Sequence, residues 1–539
     1  MKAHYKDIVK ANEAAIRWTL KYYDPSIKAL GGPYGYASYG MNSGSLETLV
    51  SGYYCEDSRY YKDDDIFEKM NDILAYCDHA HRPNYTIDMM ESNFYTGPLF
   101  ECINLSRAYK IMAGYAQTDR EKDLLIRYHK YLYKAGMSLV NGGIHTPNHR
   151  WIGSAAMMML YNILGMPELK AMADGFLNEG VDMDENGEWT ERSAMYNEVC
   201  DTSFINLYEE TKDIKYLDPV KRNLDLMFTY IEPNFTVFTQ NSNRKDKMEG
   251  DVANVVYPGF FYFDYAYMAY LTGDPYYASF ADDLVKNIKE RGGTGPSVLW
   301  MYLIHPQMKD FDPVRKPYPK SYNVFHTDIV RRKADDLSIT LMTRSPNFLF
   351  IQKGELRCFV RICASFFAVA QFVPEKITRM GDDTYYVSMK AHGEYYGPMT
   401  VKPATPVWKD MDKSLRPVVN PVDLEYCITV TMEDRKVSLD IKTNGCDRVP
   451  YKVEFCFTAP CTVINNKKTY EGEAGRFLTF CGNDVEIARN EDKLIINDAF
   501  SNHTFHYCMR GSVPQCMDAF TVYYTDFTNV DKKIEIMVP

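Results

Sequence analysis

Positive charge is in short supply in this sequence. Its 61 Lys and Arg stand against 72 Asp and Glu in 539 residues, for a formal net charge of −11 and a pI near 5.6. Such a chain lacks the broad basic surface that holds nucleic acid by its phosphates, so nucleic acid is not an expected partner. A polyanionic sugar stays admissible, because a local basic cleft can sit on an acidic protein. No run approaches the ~20 apolar residues of a membrane helix, so no membrane partner is expected. Met1 to Asn12 lack the apolar core of a secretory signal, from which a cytoplasmic location is expected. The 13 Cys are odd in number, scattered and free of C-x-x-C pairs, which predicts reduced, mostly buried thiols. Tryptophan is rare at 5, whereas Tyr reaches 43 and Phe 28. A Tyr-rich surface suits sugar stacking and polar recognition, although many of these rings will be core.

What is present divides the chain in two. Up to about Pro306 apolar residues recur at three and four, as in Leu124-Leu125, Tyr128 and Tyr131-Leu132, predicting successive antiparallel helices arranged as a toroid. Pro306, Pro313, Pro317 and Pro319 crowd one stretch, so 307–322 reads as a linker. From 323 to 539 the period becomes two, as in Ser338-Ile339-Thr340-Leu341-Met342 and Val437-Ser438-Leu439-Asp440-Ile441. That half reads as an antiparallel β-sandwich. The expected domains are therefore a helical toroid over 1–306 and, after the linker, a β-rich sandwich over 323–539.

Within the helical half, Gly143-Ile144-His145-Thr146-Pro147-Asn148-His149-Arg150-Trp151 precedes the apolar run Ile152–Leu164. Pro147 and its polar neighbours disfavour helix, so the stretch reads as a loop bringing His145, Asn148 and His149 to the mouth of a buried helix. An amide can mask a carboxylate's charge and a neutral imidazole can take a proton near pH 7, a pairing suited to proton abstraction beside a uronate carboxylate. The ordinary alternative is an Asn that caps the helix and a His satisfied by backbone carbonyls. Asp182, Asp184, Asn186 and Gly187 imitate a calcium loop, but its twelfth position is Ser193 instead of Glu, so an EF-hand is rejected and a tight turn expected. Glu191-Arg192-Ser193 then lead to Tyr196, just before a helix expected to begin near Asn197. The polar run Thr239–Asp246 offers Arg244, whose planar fork could clamp a carboxylate or sulfate; a solvated loop explains it equally well. Thr86–Tyr95, with Asn93, could line the same cavity. His79 and His81 do not share a helix face, so a metal site there is not expected. In the β half His326 and Tyr395 stand out from the strands, the former more simply a structural His.

Taken in order, these segments resemble the heparinase II/III-like polysaccharide lyases, within the wider group that includes chondroitin AC and alginate lyases. The resemblance rests on His145–Trp151, Glu191-Arg192-Ser193 with Tyr196, Ser242–Asp246 and Ile87–Phe94. In the β half it rests on Ile329–Arg332 and on Phe366-Phe367 with Gln371-Phe372. Tyr95 and Gly97-Pro98 depart from the family pattern of His and a Pro pair, which bears on subsites. The resemblance implies an (α/α) toroid followed by an antiparallel β-sandwich, and β-elimination on a uronic-acid-containing polysaccharide of glycosaminoglycan or alginate type. It implies that Asn148 neutralises the uronate carboxylate, His149 acts as C5 base and Tyr196 as base or acid at the leaving O4. His145, Asn93, Arg150, Glu191, Arg244, His326 and Tyr395 are the implied substrate-binding residues. No cofactor is required. A structural divalent metal is compatible with the family, although the sequence shows no tight ligand cluster, and no oligomeric state is implied. The alternatives are a glycoside hydrolase on the same toroid, which needs two carboxylates across the scissile bond, and a non-catalytic carbohydrate-binding protein.

Overall fold

The computed structural model describes residues 1–32, 38–89, 91–94, 97–244, 255–325, 328–507 and 509–539, with backbone alone for 88–89, 91–94, 97–98, 322–323 and 325. Two compact units emerge. One comprises Met1–Phe228, Ser242–Arg244 and Tyr257–Tyr318; the other includes Thr229–Asn241 and Pro319–Pro539.

The first unit holds twelve described helices: α1 Tyr5–Tyr22, α2 Tyr39–Tyr54, α3 Asp64–Ala80, α4 Gly97–Tyr115, α5 Asp119–Asn141, α6 Pro147–Leu164, α7 Pro167–Leu177, α8 Ala194–Thr211, α9 Leu217–Tyr230, α10 Tyr262–Thr272, α11 Pro275–Glu290 and α12 Leu299–Ile304. Even-numbered helices pack on one another, α2 on α4, α4 on α6, α6 on α8 and α8 on α10. Phe263 meets Trp300 at 4.8 Å to join α10 to α12, and α12 returns to α2. This inner ring is apolar nearly all round, as in α6, where every residue from Trp151 to Leu160 is buried. The odd-numbered helices are amphipathic, as an outer layer facing water on one side must be. The result is the expected toroid.

Local signals explain where the sequence reading went astray. Helix α6 begins at Pro147, so Asn148 and His149 stand in its first turn instead of in a loop. Thr146 is the extended N-cap and Pro147 takes the next position, where a fixed φ and a missing N–H cost nothing. Helix α8 starts at Ala194, three residues early, because Ser193 caps it by accepting from the Tyr196 amide at 3.4 Å. Helix α2 escaped notice altogether, since Gly40, Gly44 and Gly52 with Ser43, Ser45 and Ser51 lower its propensity. Tertiary packing overrides that. A Cβ on Gly52 would fall 2.3 Å from Ile16 Cδ1 and 2.9 Å from Asn12 Oδ1, so a larger residue there would have to push α1 side chains aside.

The second unit is a sandwich. An eight-stranded sheet runs in the order 477–479, 519–527, 450–458, 356–364, 349–353, 337–342, 329–334 and 322–325. A nine-stranded sheet runs 377–379, 384–396, 418–432, 436–445, 531–537, 492–496, 485–489, 461–465 and 468–472. Pairing is antiparallel except between Phe477–Thr479 and Ala519–Phe527. Val360, Phe455 and Val522 from one sheet share a core with Ile428, Leu439 and Ile536 from the other. The strands Leu337–Met342, Leu349–Lys353 and Leu356–Ala364 are buried at every position, so their second face is covered as well.

Candidate active site

Four elements of the helical unit bring the predicted residues together. The first turn of α6 presents Asn148 and His149, the preceding loop His145, the turn before α8 Glu191 with Tyr196 just beyond, and the short segment Ser242–Arg244 its guanidinium.

Asn148 is fully buried. Its Nδ2 donates to Glu191 Oε2 at 2.5 Å and to Thr146 Oγ1 at 3.3 Å, and its backbone N–H reaches Glu191 Oε2 at 3.2 Å. Its Oδ1 has no hydrogen-bond partner among the described residues. Glu191 is 5% exposed, and its second oxygen lies 3.3 Å from Arg244 Nη1. Arg244 extends across Tyr196: Nη2 donates to the phenol oxygen at 3.4 Å, and the guanidinium carbon is 4.6 Å from the ring centre. Guanidinium can only donate, so the Tyr196 oxygen is the acceptor and its own proton is directed elsewhere.

His149 packs edge-on against His145 at 4.9 Å and Phe100 at 5.8 Å. Burial above all, with His145 and Arg244 adding positive charge, lowers its pKa to about 4. The ring is therefore neutral at pH 7, with Nδ1 lacking a hydrogen-bond partner among the described residues. An amide, a guanidinium and a phenol are thus joined through Glu191, and the neutral imidazole follows the amide in the first turn of α6.

Arg150 turns away to pair with Asp182 at 2.6 Å and Glu179 at 3.3 Å, where Trp151 Nε1 also donates to Asp182 at 2.9 Å. The imitation calcium loop is the expected tight turn: Asp184 Oδ1 accepts from the amides of Asn186 at 2.8 Å and Glu188 at 3.0 Å, and Gly187 has φ +87°. Asn93 sits on the strand Glu91–Phe94, paired with Ile87–Met89, and its side chain lies outside the described set. His326 falls outside the described residues. Tyr395 belongs to the β unit, 61% exposed and 5.1 Å from Phe367. Among the described residues no group of three or more His, Cys, Asp or Glu is placed to hold a metal. Sequence reasoning missed Phe100 and Thr146, whose types and spacing carry no distinguishing signal.

No family model matches the sequence, nor does any curated protein. Solved structures do resemble the fold. A Paenibacillus xanthan lyase superposes with a TM-score of 0.59 at 10% identity over 99% of this chain, which spans only 57% of that enzyme's length. Heparinase III gives 0.57 at 10% identity, covering 99% of this chain and 84% of that one. A Streptomyces coelicolor A3 chondroitin AC lyase, solved with chondroitin sulphate, gives 0.54 at 11% identity, covering 100% and 80%. The chain has the fold of the heparinase-like polysaccharide lyases, a helical toroid followed by an antiparallel β-sandwich.

Proposed function

We propose that this protein is a polysaccharide lyase that cleaves a uronic-acid-containing glycan by β-elimination, leaving an unsaturated uronate end. The observation that carries the reading is the continuous line Asn148–Glu191–Arg244–Tyr196, with the neutral His149 beside it. A C5 proton next to a carboxylate is removed only when the dianionic enolate is stabilised, and oriented donors at such a site contribute about 3–4 kcal/mol. One amide hydrogen of Asn148 is fixed on Glu191, while the other is held only by the longer contact to Thr146. That second hydrogen is the one offered to a uronate carboxylate. Tyr196, its oxygen oriented by Arg244, transfers protons at C5 and the leaving O4. His149 enters as a neutral hydrogen-bonding partner, since a ring of pKa about 4 is a weak base at pH 7.

Glu191 offers no support for a hydrolase. Its carboxylate is buried and engaged by Asn148 and Arg244, unlike one of the two carboxylates that must flank a glycosidic bond. The test is a panel of chondroitin, hyaluronan, heparan, heparin and alginate, followed by ultraviolet absorbance. A conjugated uronate chromophore on at least one polymer is expected. Reducing ends without absorbance would establish hydrolysis and sink the proposal.

A further inference from the structure

The sequence groups Glu191 with the residues that touch substrate, but its surroundings give it a different role. We infer that Glu191 is a positioning residue, which fixes the orientation of the Asn148 amide and seats Arg244 against Tyr196. The inference rests on the lyase reading above for its kinetic consequence, and on geometry alone for its structural one.

Three elements meet at this one side chain. The Glu191 carboxylate accepts from the Asn148 amide at the N-terminus of the 18-residue helix α6, where Thr146 makes no side-chain cap and Pro147 has no N–H to give. It therefore supplies the cap from outside the helix, in the position where the helix dipole favours negative charge. Its peptide oxygen accepts from the Asn243 N–H at 3.2 Å, tying the segment that carries Arg244 to the same turn. Its second carboxylate oxygen then faces the Arg244 guanidinium at 3.3 Å.

A carboxylate can only accept, which makes the Asn148 orientation one-sided. Turned over, the amide would set Oδ1 against Glu191 Oε2 at the 2.5 Å now bridged by a hydrogen. So NH2 must face Glu191, and the second N–H leaves at a fixed angle. Glutamine at 191 is nearly isosteric, but its amide could hydrogen-bond Asn148 either way round and would carry no charge for Arg244. A carboxylate only 5% exposed is, moreover, poorly placed to grip an anionic sugar directly.

The test compares Glu191→Gln, Asn148→Ala and the double variant on whichever polymer the parent cleaves, beside a crystal structure of Glu191→Gln. Turnover of Glu191→Gln should drop by about 10²-fold with KM within about twofold, and in the Asn148→Ala background the same change should cost less than it does in the parent, only the share that passes through Arg244 and Tyr196 remaining. The crystal structure should show Arg244 displaced from Tyr196. A raised KM with kcat preserved, or effects that multiply in the double variant, would overturn the assignment. So would an unmoved Arg244, a result obtainable even if no polymer is cleaved and the lyase reading itself has failed.

Discussion

The two units bury opposite charges. In the helical unit the buried charged residues, histidines aside, are Arg107 against Glu121, Glu188, Glu191, Asp201 and Asp264. In the β unit they are Arg331, Lys333, Lys353, Arg357, Arg361 and Lys452 against Glu232 and Glu454. These are mirror images among the described residues. In the toroid Asp201 and Asp264 stand on inner-ring helices, with Arg107 and Glu47 on others. Arg107 is 3.7 Å from Glu47 and 3.6 Å from the Trp300 ring centre, and Asp264 accepts from Thr202 at 2.8 Å. Burial lifts the pKa of Glu47 and Glu198 to about 7 and raises those of Asp201 and Asp264. The toroid thus holds protons that an unfolded chain would release. In the sandwich Arg331 and Lys333, on the covered face of the eight-stranded sheet, are met by oxygens: Arg331 by Glu232 at 3.1 Å, the Thr229 carbonyl at 2.9 Å and Thr340 at 2.6 Å; Lys333 by the Ile231 carbonyl at 2.5 Å. An acid-rich core adjusts by protonation, whereas an Arg-rich one must satisfy its charge with partners.

Four experiments press on that contrast, in descending order of effect. The largest concerns chemistry, assigned to the toroid. Tyr196→Phe should lower turnover by ~10²–10⁴-fold while the melting temperature holds, whereas Tyr395→Ala should leave kcat within about threefold. Steady-state kinetics that reversed this order would move the chemistry out of the helical unit. Second comes the partnered core. Arg331→Met strands Glu232 and should destabilise the β unit by about 3–5 kcal/mol in chemical denaturation. A midpoint unchanged from the parent would mean the pair is dispensable.

Third is the pH response. Carboxylates whose pKa is raised on folding bind more protons in the native state, so their stabilisation is full below about pH 4.5 and fades as pH rises through 7. Glu121, held down to about 2 despite its desolvation by Lys62 and the amides of Thr118 and Gln117, titrates below that window. Burial lowers His149, His81, His305 and the Met1 amine, which oppose the trend, but with Glu101 also lifted to about 7 the acids outnumber them. Amide hydrogen exchange, read separately for each unit, should therefore show the toroid losing about 1–3 kcal/mol between pH 5 and 7. Glu198→Gln should flatten that slope. In the sandwich, burial pushes Lys333 down to about 8, so its effect falls above the window, and burial lowers His506, which favours the opposite slope. Parallel slopes in the two units would end the comparison. The smallest effect is kinetic: with His149 near 4, the kcat/KM profile should show no limb at pH 6–7 that His149→Ala removes. Such a limb would place the ring in water.

Much of this was legible in the sequence, and the exceptions have physical causes. Periodicity marked the outer helices α1, α3, α5 and α11, because a face exposed to water must alternate with a face that is not. It marked α2 least, because its glycines and serines lower helix propensity and, of the glycines, Gly52 sits in close packing. Asn148 and His149 could be singled out as polar groups beside an apolar run, Tyr196 by the polar Glu191-Arg192-Ser193 before it, and Arg244 within a polar run of its own. That Arg150, one residue further on, pairs with Asp182 depends on a 100° turn about a helix axis, which a loop reading erases. Glu191 stood out for its polarity, but the positioning role inferred above was not legible, since sequence cannot tell a carboxylate that meets a ligand from one that holds those that do.

The start of α6 at Pro147 has a consequence for how such a site can change over time. Asn148 and His149 belong to one rigid rod, whereas His145 hangs on the chain before it. Residues added or lost between Gly142 and Ile144 would reposition His145 alone and leave the pair behind Pro147 in register. A single residue inserted after His149 would instead swing everything beyond it by about 100° and put the packed run from Trp151 to Leu160 out of phase with the ring. Variation is thereby channelled ahead of the proline, where a new substrate can be accommodated without disturbing the residues assigned to the chemistry.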